Sequence, residues 1–374
     1  MKKTLAAVAV LGAFAGSALA ADVTIYGRID TGLQYTNTEH SANGTKDLDE
    51  SAVAMVSGGS TGSRFGIKGS EEISENLTVG FVLEKGLTID DGTGSNSTMF
   101  DRESTLWVKS NFGTVYLGRL SSMMSDGGSM ALWGSHVAFG SGTGGNFGVG
   151  YSLLAVQSRA SNRVAYASPV FGGFKLAAEY STGDNKAGIE ENTRDSNREA
   201  ALGVEYKNGA FGAAMVVGTI IEERAEHGVD PEDQYTVSLA ADYDFGVAKV
   251  YAAGQYFKDA NKVGLFNEDN LKNAFADGFD ELEGYGFVLG ADVPLAGGTL
   301  TVGGAYTSGE DKADAGTVEF DGWNVGAQYK YQLSKRTRVY ATVGYTNLEA
   351  DKISGTDDEE YKYWGGNIGM AHYF

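Results

Sequence analysis

Residues 63–86 read SRFGIKGSEEISENLTVGFVLEKG, which is two extended segments joined by a polar, acidic turn. In the first segment Phe65 and Ile67 point away from Arg64 and Lys68, because successive side chains of a strand face opposite sides. In the second segment one apolar set alternates with a more mixed set: Leu77, Val79, Phe81 and Leu83 against Thr78, Gly80, Val82 and Glu84. One face therefore suits lipid and the other suits water, which is typical of a strand that crosses a membrane.

The first twenty residues have the pattern of a secretory signal peptide. Lys2 and Lys3 precede a short apolar stretch at 5–15, and Ala18-Leu19-Ala20 fits a small-residue cleavage site. The apolar stretch is too short to span a bilayer as a helix. We therefore predict a signal peptide at 1–20 and one folded domain, a transmembrane barrel, at 21–374.

Composition excludes several classes of function. The 374 residues carry a net charge of −20, and no cysteine is present. The absence of cysteine rules out disulfides and thiolate metal sites, and the negative charge disfavours nucleic-acid binding, which requires a basic face. The four histidines lack the spacing of a metal site. We expect no metal, cofactor or nucleic-acid partner.

Alternating segments recur to the end of the chain, and short and long connections take turns between them. The long connections are predicted at 37–60, 89–100, 120–161, 182–197, 222–233, 258–283, 309–320 and 350–360. With seven short connections, they join sixteen strands. A bilayer-spanning structure without helices must be a closed barrel, and an even strand number with short turns at one end is typical of one. The sequence predicts an all-β, sixteen-stranded antiparallel transmembrane barrel rather than a soluble two-sheet protein, which would also alternate.

One strand is harder to interpret. In RESTLWVK, residues 102–109, strict alternation places Leu106 and Val108 on the same side as Arg102. Either a bulge interrupts this strand, or the lumen is partly apolar at this point. The pattern alone leaves both possibilities open.

Seven stretches together resemble the Gram-negative trimeric general porin family: ADVTIYGRIDTGLQY, SRFGIKGSEEISENLTVGFVLEKG, FDRESTLWVKSNFGTVYLGR, NRVAYASPVFGGFKLAAEYS, YDFGVAKVYA, LSKRTRVYA and IGMAHYF. The resemblance implies a homotrimer in the outer membrane of a Gram-negative bacterium, reached through the periplasm. It implies passive diffusion of ions and small hydrophilic solutes, and no enzymatic activity. It also implies that the third long loop, about 120–161, folds into the lumen and narrows it.

The resemblance places arginines on the wall opposite that loop: Arg64 in SRFG, Arg102 in FDRES and Arg163 in NRVAY, with Arg28 in YGRID and Arg119 in YLGR as additions. Lys68 shares the face of Arg64. Relatives carry several acids in the inward loop, whereas here we find only Asp126, with Arg159 as the basic residue. A one-sided arginine cluster favours anions, while acidic outer loops attract cations over a screening length of about 8 Å. We expect a weak anion preference.

The remaining expectations concern partners and rival functions. Phe374 ends an alternating strand with Ile368 and Met370 on its face, the pattern that the barrel-assembly machinery of this family recognises. The acidic loops could bridge Mg²⁺ or Ca²⁺ to lipopolysaccharide phosphate, or could simply be solvated. The alternatives are a substrate-specific porin, a barrel enzyme, for which only His136 and His227 could serve, and a surface adhesin.

Overall fold

The computed structural model describes residues 22–140, 147, 150–183, 197–222, 232–267, 270–271, 281–312, 317–352 and 358–374. The predicted signal peptide lies outside these residues. The described part of the chain has no helix long and apolar enough to cross a membrane. Within it, the β-segments are β1 (Thr24–Ala42), β2 (Thr45–Ser57), β3 (Arg64–Ser74), β4 (Leu77–Gly86), β5 (Glu103–Ser110), β6 (Gly113–Ser121), β7 (Arg159–Ala167), β8 (Phe174–Ser181), β9 (Arg198–Asn208), β10 (Phe211–Ile221), β11 (Gln234–Asp244), β12 (Lys249–Ala260), β13 (Leu282–Leu295), β14 (Gly298–Asp311), β15 (Val318–Gln332), β16 (Thr337–Lys352) and β17 (Glu359–Tyr373).

These segments form one closed antiparallel barrel of sixteen strands, as the sequence predicts. β2 and β3 are two halves of a single barrel strand, because β1 pairs with both of them. Thr31 to Ala42 of β1 pair with β2, and Thr24 to Arg28 of β1 pair with β3. β17 pairs with both β16 and β1, which closes the barrel. At this seam Gly27 and Phe374 exchange two backbone hydrogen bonds of 3.0 and 3.1 Å.

The predicted first long loop at 37–60 is wrong. β1 runs to Ala42 and β2 starts at Thr45, so that most of this region is a β-hairpin. Its turn is Asn43-Gly44, with φ values of 52° and 72°. An Asn-Gly pair between two extended runs is a strong hairpin signal, because both residues tolerate positive φ. Seven further short turns join strand pairs in the described part of the chain, which is the number that the sequence predicts.

The two faces of the wall differ in chemistry. Large apolar side chains on the outward face stay exposed in the isolated chain, for example Leu33 at 53 % and Val343 at 60 %. Polar side chains such as Gln34 and Thr342 are buried on the inward face. Tyrosines pair with other aromatic rings on both rims, as in Tyr243–Phe245, with centroids 4.6 Å apart, and Trp323–Tyr345, at 5.1 Å.

The structure explains the irregular alternation at residues 102–109. β5 begins at Glu103, so Arg102 precedes the strand and does not follow its alternation. Leu106 then faces outward at 49 % exposure, and Thr105 is buried on the inward face. Neither a bulge nor an apolar lumen is needed to place Leu106.

Replacing Leu289 by arginine should destabilise the barrel. Leu289 is 56 % exposed on the outward face of β13, between the outward aromatic Tyr285 and the short turn. A charge on the lipid face near mid-depth costs about 2–4 kcal/mol. We expect a corresponding fall in the free energy of unfolding, measured by urea titration in lipid vesicles. Leu289→Ala is the control without added charge; equal losses in both variants would contradict the outward placement.

Candidate functional site

The chain between β6 and β7, residues 122–158, is the third loop. Ser121 pairs with Arg159 in the sheet, so the loop leaves and rejoins the wall at one place. The Gln255 side chain makes two hydrogen bonds with the backbone of Ala155, at 2.7 and 2.9 Å. The Thr307 hydroxyl donates to the Leu153 carbonyl at 2.8 Å. Because Gln255 and Thr307 are buried on the inward faces of β12 and β14, these parts of the loop lie against the inside of the wall.

His136 anchors the loop to two wall strands. It ends a short 3-10 helix, Trp133–His136, and is 1 % exposed. Its Nδ1 lies 2.5 Å from a carboxylate oxygen of Asp242 on β11, and its Nε2 lies 3.1 Å from one of Glu205 on β9. Each ring nitrogen thus faces a carboxylate oxygen on a different strand. This histidine, one of two that an enzyme could have used, is therefore engaged in holding the loop. The other, His227, lies outside the described residues.

Inward glycines make room for the loop. A Cβ at Gly344 on β16 would lie 2.6 Å from the Cβ of Phe147, and one at Gly365 on β17 would lie 2.6 Å from its ring. Real side chains almost never approach so closely. These two glycines therefore leave the space that the Phe147 side chain occupies. The alternation of polar and apolar residues alone does not reveal this role.

A group of arginines gathers on the wall formed by β1 and β3 to β7; the arginine cluster is Arg28, Arg64, Arg102, Arg119 and Arg159. Arg64 Nη1 and Arg102 Nε lie 3.3 and 2.7 Å from the same oxygen of Glu84. The other oxygen of Glu84 accepts a hydrogen bond from Tyr26 at 3.1 Å. Nε of Arg28 and Nε of Arg64 both donate to the carbonyl of Gly62, each at 3.1 Å.

The remaining two arginines extend the cluster towards the third loop. Arg119 donates to the Asp101 carbonyl at 2.7 Å and to the Ser161 hydroxyl at 2.8 Å. Arg159 Nε donates to the Arg102 carbonyl at 3.1 Å. The sequence predicts that Arg159 belongs to the loop. In the structure it is the first residue of β7, opposite Ser121, and it is part of the cluster.

The neighbouring acids only partly balance this charge. Asp101 pairs with Lys85 at 3.3 Å. Burial alone would raise the pKa of Asp101, but hydrogen bonds from Ser95, the Gly86 amide and Lys85 outweigh it and lower the pKa. Glu103 accepts a hydrogen bond from Ser129 of the third loop. The cluster therefore leaves this part of the inner wall with a net positive charge.

Arg163 departs from its expected place at the pore surface. It faces inward, but it is only 1 % exposed. Its Nη2 lies 2.5 Å from Glu199 and its Nη1 lies 3.4 Å from Glu179. The backbone amide of Met123, at the start of the third loop, donates to Glu179 at 3.4 Å. Arg163 is thus neutralised beneath the loop and does not present its charge to water.

The other two predicted residues do not belong to the cluster. Lys68 is exposed on β3, with its Nζ 5.1 Å from the centre of the Tyr26 ring. Asp126 is exposed beside Gly140 of the third loop. Among the described residues, no ion pair joins Asp126 to the arginine cluster.

Phe374 completes the seam between the last and first strands. Besides the backbone pair with Gly27, its ring packs where a Cβ of that glycine would stand, 2.5 Å away. The ring is 44 % exposed on the outward face, together with Ile368 and Met370. The shared face that the sequence predicts for these three residues is confirmed.

Acids near the long connections line up on the outward face of β13 to β16: Glu283, Glu310, Glu319, Asp321, Glu349 and Asp351. Glu310 lies directly opposite both Glu283 and Glu319 in the sheet. Like charges in such positions repel, and Lys312 offsets part of this, with its Nζ 2.7 Å from Glu283. In the described part of the chain, no three metal-binding side chains converge on one point.

Residues 6–351 match the sequence model of a protein family described as Gram-negative porin. The chain belongs to this family. An outer membrane porin of Bordetella pertussis is 31 % identical over the full length of both chains. The outer membrane porin protein 32 of Delftia acidovorans is 29 % identical, over 92 % of this chain and 89 % of its own.

Solved structures of outer membrane proteins have the same architecture. An anion-selective porin from Comamonas acidovorans superimposes with a TM-score of 0.68 at 26 % identity, over 95 % of this chain and 100 % of that one. The OmpT protein of Vibrio cholerae, in its trimer form, gives a TM-score of 0.62 at 17 % identity, over 95 % of this chain and 99 % of that one. The latter likeness concerns the fold alone.

Proposed function

We propose that this porin is a passive channel of the Gram-negative outer membrane, through which ions and small hydrophilic solutes diffuse. The observation that carries the proposal is a closed barrel with a polar inward face, a loop packed against that face, and a net positive cluster on the inner wall. Such a pore selects solutes by its width and by the charges at its narrowest point. No covalent step is involved.

The narrowest point is formed, in our proposal, between the third loop and the arginine cluster. The described contacts of the loop are mostly with strands from β8 to β17, whereas the cluster lies on β1 and β3 to β7. The aqueous path would run between them. Arg28, Arg64, Arg102 and Arg159 would line it, with Lys68 towards the short turns and Asp126 on the loop side. Arg163 is left out, and so is Arg119, which pairs with Ser104 at an outward-facing position of β6.

A weak anion preference follows from this arrangement. Arg64 and Arg102 are only 15 % and 18 % exposed at their side chains, so water and salt screen them less than charges at the rim. The six aligned acids face outward rather than over the lumen, which weakens their opposing pull. The anion-selective relative from Comamonas acidovorans supports the same direction.

We further propose a homotrimer. β4 to β8 have only 8 to 10 residues, whereas β13 to β17 have 14 to 16, which leaves the wall lower on one side. Among the described strands β2 pairs with β1 alone, so that its other edge is open. Open strand edges are not tolerated against lipid. Neighbouring copies of the chain that cover this side would shield the open edge of β2 from lipid.

Two further partners complete the proposal. Phe374, at the seam, would be read by the barrel-assembly machinery during insertion. The outward acids of β13 to β16, which repel one another, would be neutralised by divalent cations shared with lipopolysaccharide phosphates.

Swelling of protein-loaded liposomes tests the diffusion function. We expect swelling rates that fall steeply with solute size and rise linearly with solute concentration, because passage requires no tight binding. Protein-free liposomes are the control. A rate that saturates with one solute would favour a substrate-specific porin, and no swelling with folded, inserted protein would contradict the channel.

A further inference from the structure

A second segment besides the third loop lies on the inward side of the wall. Residues 58–63, with the sequence GGSTGS, interrupt the barrel strand between β2 and β3; we call this segment the shelf. Gly59 packs against the Tyr340 ring, and its carbonyl accepts a hydrogen bond from Asn367 at 3.3 Å. Tyr340 and Asn367 are both buried on the inward face, so the shelf sits inside the barrel.

Asp30 of β1 holds the shelf in place. Its side chain is fully buried, and one carboxylate oxygen accepts hydrogen bonds from the amides of Ser60 and Thr61, at 3.2 and 2.9 Å. The other oxygen accepts the Tyr340 hydroxyl at 2.6 Å. The backbone of Asp30 also bonds the Ser63 hydroxyl, at 2.9 and 3.0 Å. One buried acid thus ties the shelf to β1 and β16.

The shelf in turn forms hydrogen bonds with three arginine side chains. The Gly62 carbonyl accepts from Arg28 and Arg64, and the Ser60 hydroxyl accepts from Arg338 of β16 at 3.2 Å. The guanidinium groups of Arg28 and Arg338 lie 6.0 and 5.4 Å from the centre of the Tyr373 ring. Arg338, which the sequence analysis did not single out, is therefore joined to the arginine cluster through the shelf.

We propose that Asp30 is a positioning residue for ion selectivity. Through the shelf it orients Arg28, Arg64 and Arg338 towards the lumen, although its own charge is opposite to theirs. Buried carboxylates with several donors are rigid, and a constriction requires fixed charges to select ions. This inference depends on the proposed channel function and assigns a specific determinant within it.

The charge-neutral variant Tyr340→Phe is the main test. It removes one hydrogen bond to Asp30 and changes no charge, so only repositioning can alter selectivity. In a planar bilayer with a KCl gradient, we expect its reversal potential to move towards zero, which means a weaker anion preference. Tyr345→Phe, which removes a hydroxyl from the outward face of the same strand, is the matched control and should leave the potential unchanged.

Asp30→Asn separates positioning from simple charge counting. Loss of a negative charge in the lumen would by itself strengthen the anion preference, whereas loss of positioning weakens it. We expect the weaker preference, with Asp321→Asn on the outward face as the control of equal charge change. An unchanged potential in Tyr340→Phe, or a stronger anion preference in Asp30→Asn, would overturn the proposal.

The conductance of the same samples separates the role of Asp30 from the proposed channel function. Variants that conduct like the parent protein with unaltered selectivity refute the role of Asp30 and leave the channel intact. If the parent protein does not conduct at all, the proposed channel function itself fails, and the role of Asp30 fails with it.

Discussion

Replacing Arg64 and Arg102 together by glutamate should turn the anion preference of the pore into a cation preference. Both guanidinium groups contact the same oxygen of Glu84 on the inner wall, and both are poorly exposed. Each substitution exchanges a positive for a negative charge next to an existing acid. Because selectivity follows the charge at the narrowest point, we expect the reversal potential in a KCl gradient to change sign.

A double charge reversal at the short turn between β15 and β16 is the matched control. Lys335 and Arg336 are exposed there, away from the arginine cluster. Lys335→Glu combined with Arg336→Glu changes the net charge by the same amount and should shift the potential only slightly, because salt screens exposed charges. Equal shifts in the two double variants would mean that overall charge, rather than the cluster, determines selectivity.

Removing the third loop should widen the pore. Ser121 and Arg159 are neighbours in the sheet, so a short turn can replace residues 123–157 without stretching the wall. The loop packs against the inside of the barrel through Ala155, Leu153 and His136, and this volume would become water. We expect the single-channel conductance to rise about twofold or more, with weaker selectivity, since width and charge at the constriction set both.

The same variant should be less stable. Val216, Val288 and Leu348 of the wall are buried together with loop residues in one apolar cluster, and removal of the loop would expose them to water in the lumen. Exposed apolar area costs about 25 cal/mol per Å². The control for assembly is the migration of the unheated variant on a denaturing gel, which shows whether the barrel remains folded. Unchanged conductance from a folded, loopless barrel would contradict the placement of the loop.

The wall of the barrel was predictable from the sequence, because lipid and water impose opposite demands on alternate residues. This requirement acts on residues that are neighbours in the chain. The order of residues therefore predicts the strands, the short turns and the shared face of Ile368, Met370 and Phe374. The hairpin at Asn43-Gly44 could also have been found, since its signal is local too. The polar residues around this turn are also typical of a loop, which is why composition alone predicts a loop there.

The interior was less predictable, because it depends on residues far apart in the chain. His136 meets Asp242 across 106 positions, and Tyr340 meets Asp30 across 310. The resemblance placed Arg163 on the pore wall but could not show that the start of the third loop covers this side chain. The shelf, with its glycines and hydroxyls, has no periodic pattern at all, so that only its contacts reveal how it orders the arginines.

We propose that the pore is a trimeric channel whose selectivity is set by positive charge at its constriction. The most direct measurement is the current through the purified protein in a planar bilayer that separates two KCl concentrations. We expect conductance steps in groups of three and a reversal potential of the sign that anion flow produces. Conductance with a cation-selective potential would contradict the arginine constriction, and no conductance from folded, inserted protein would contradict the channel.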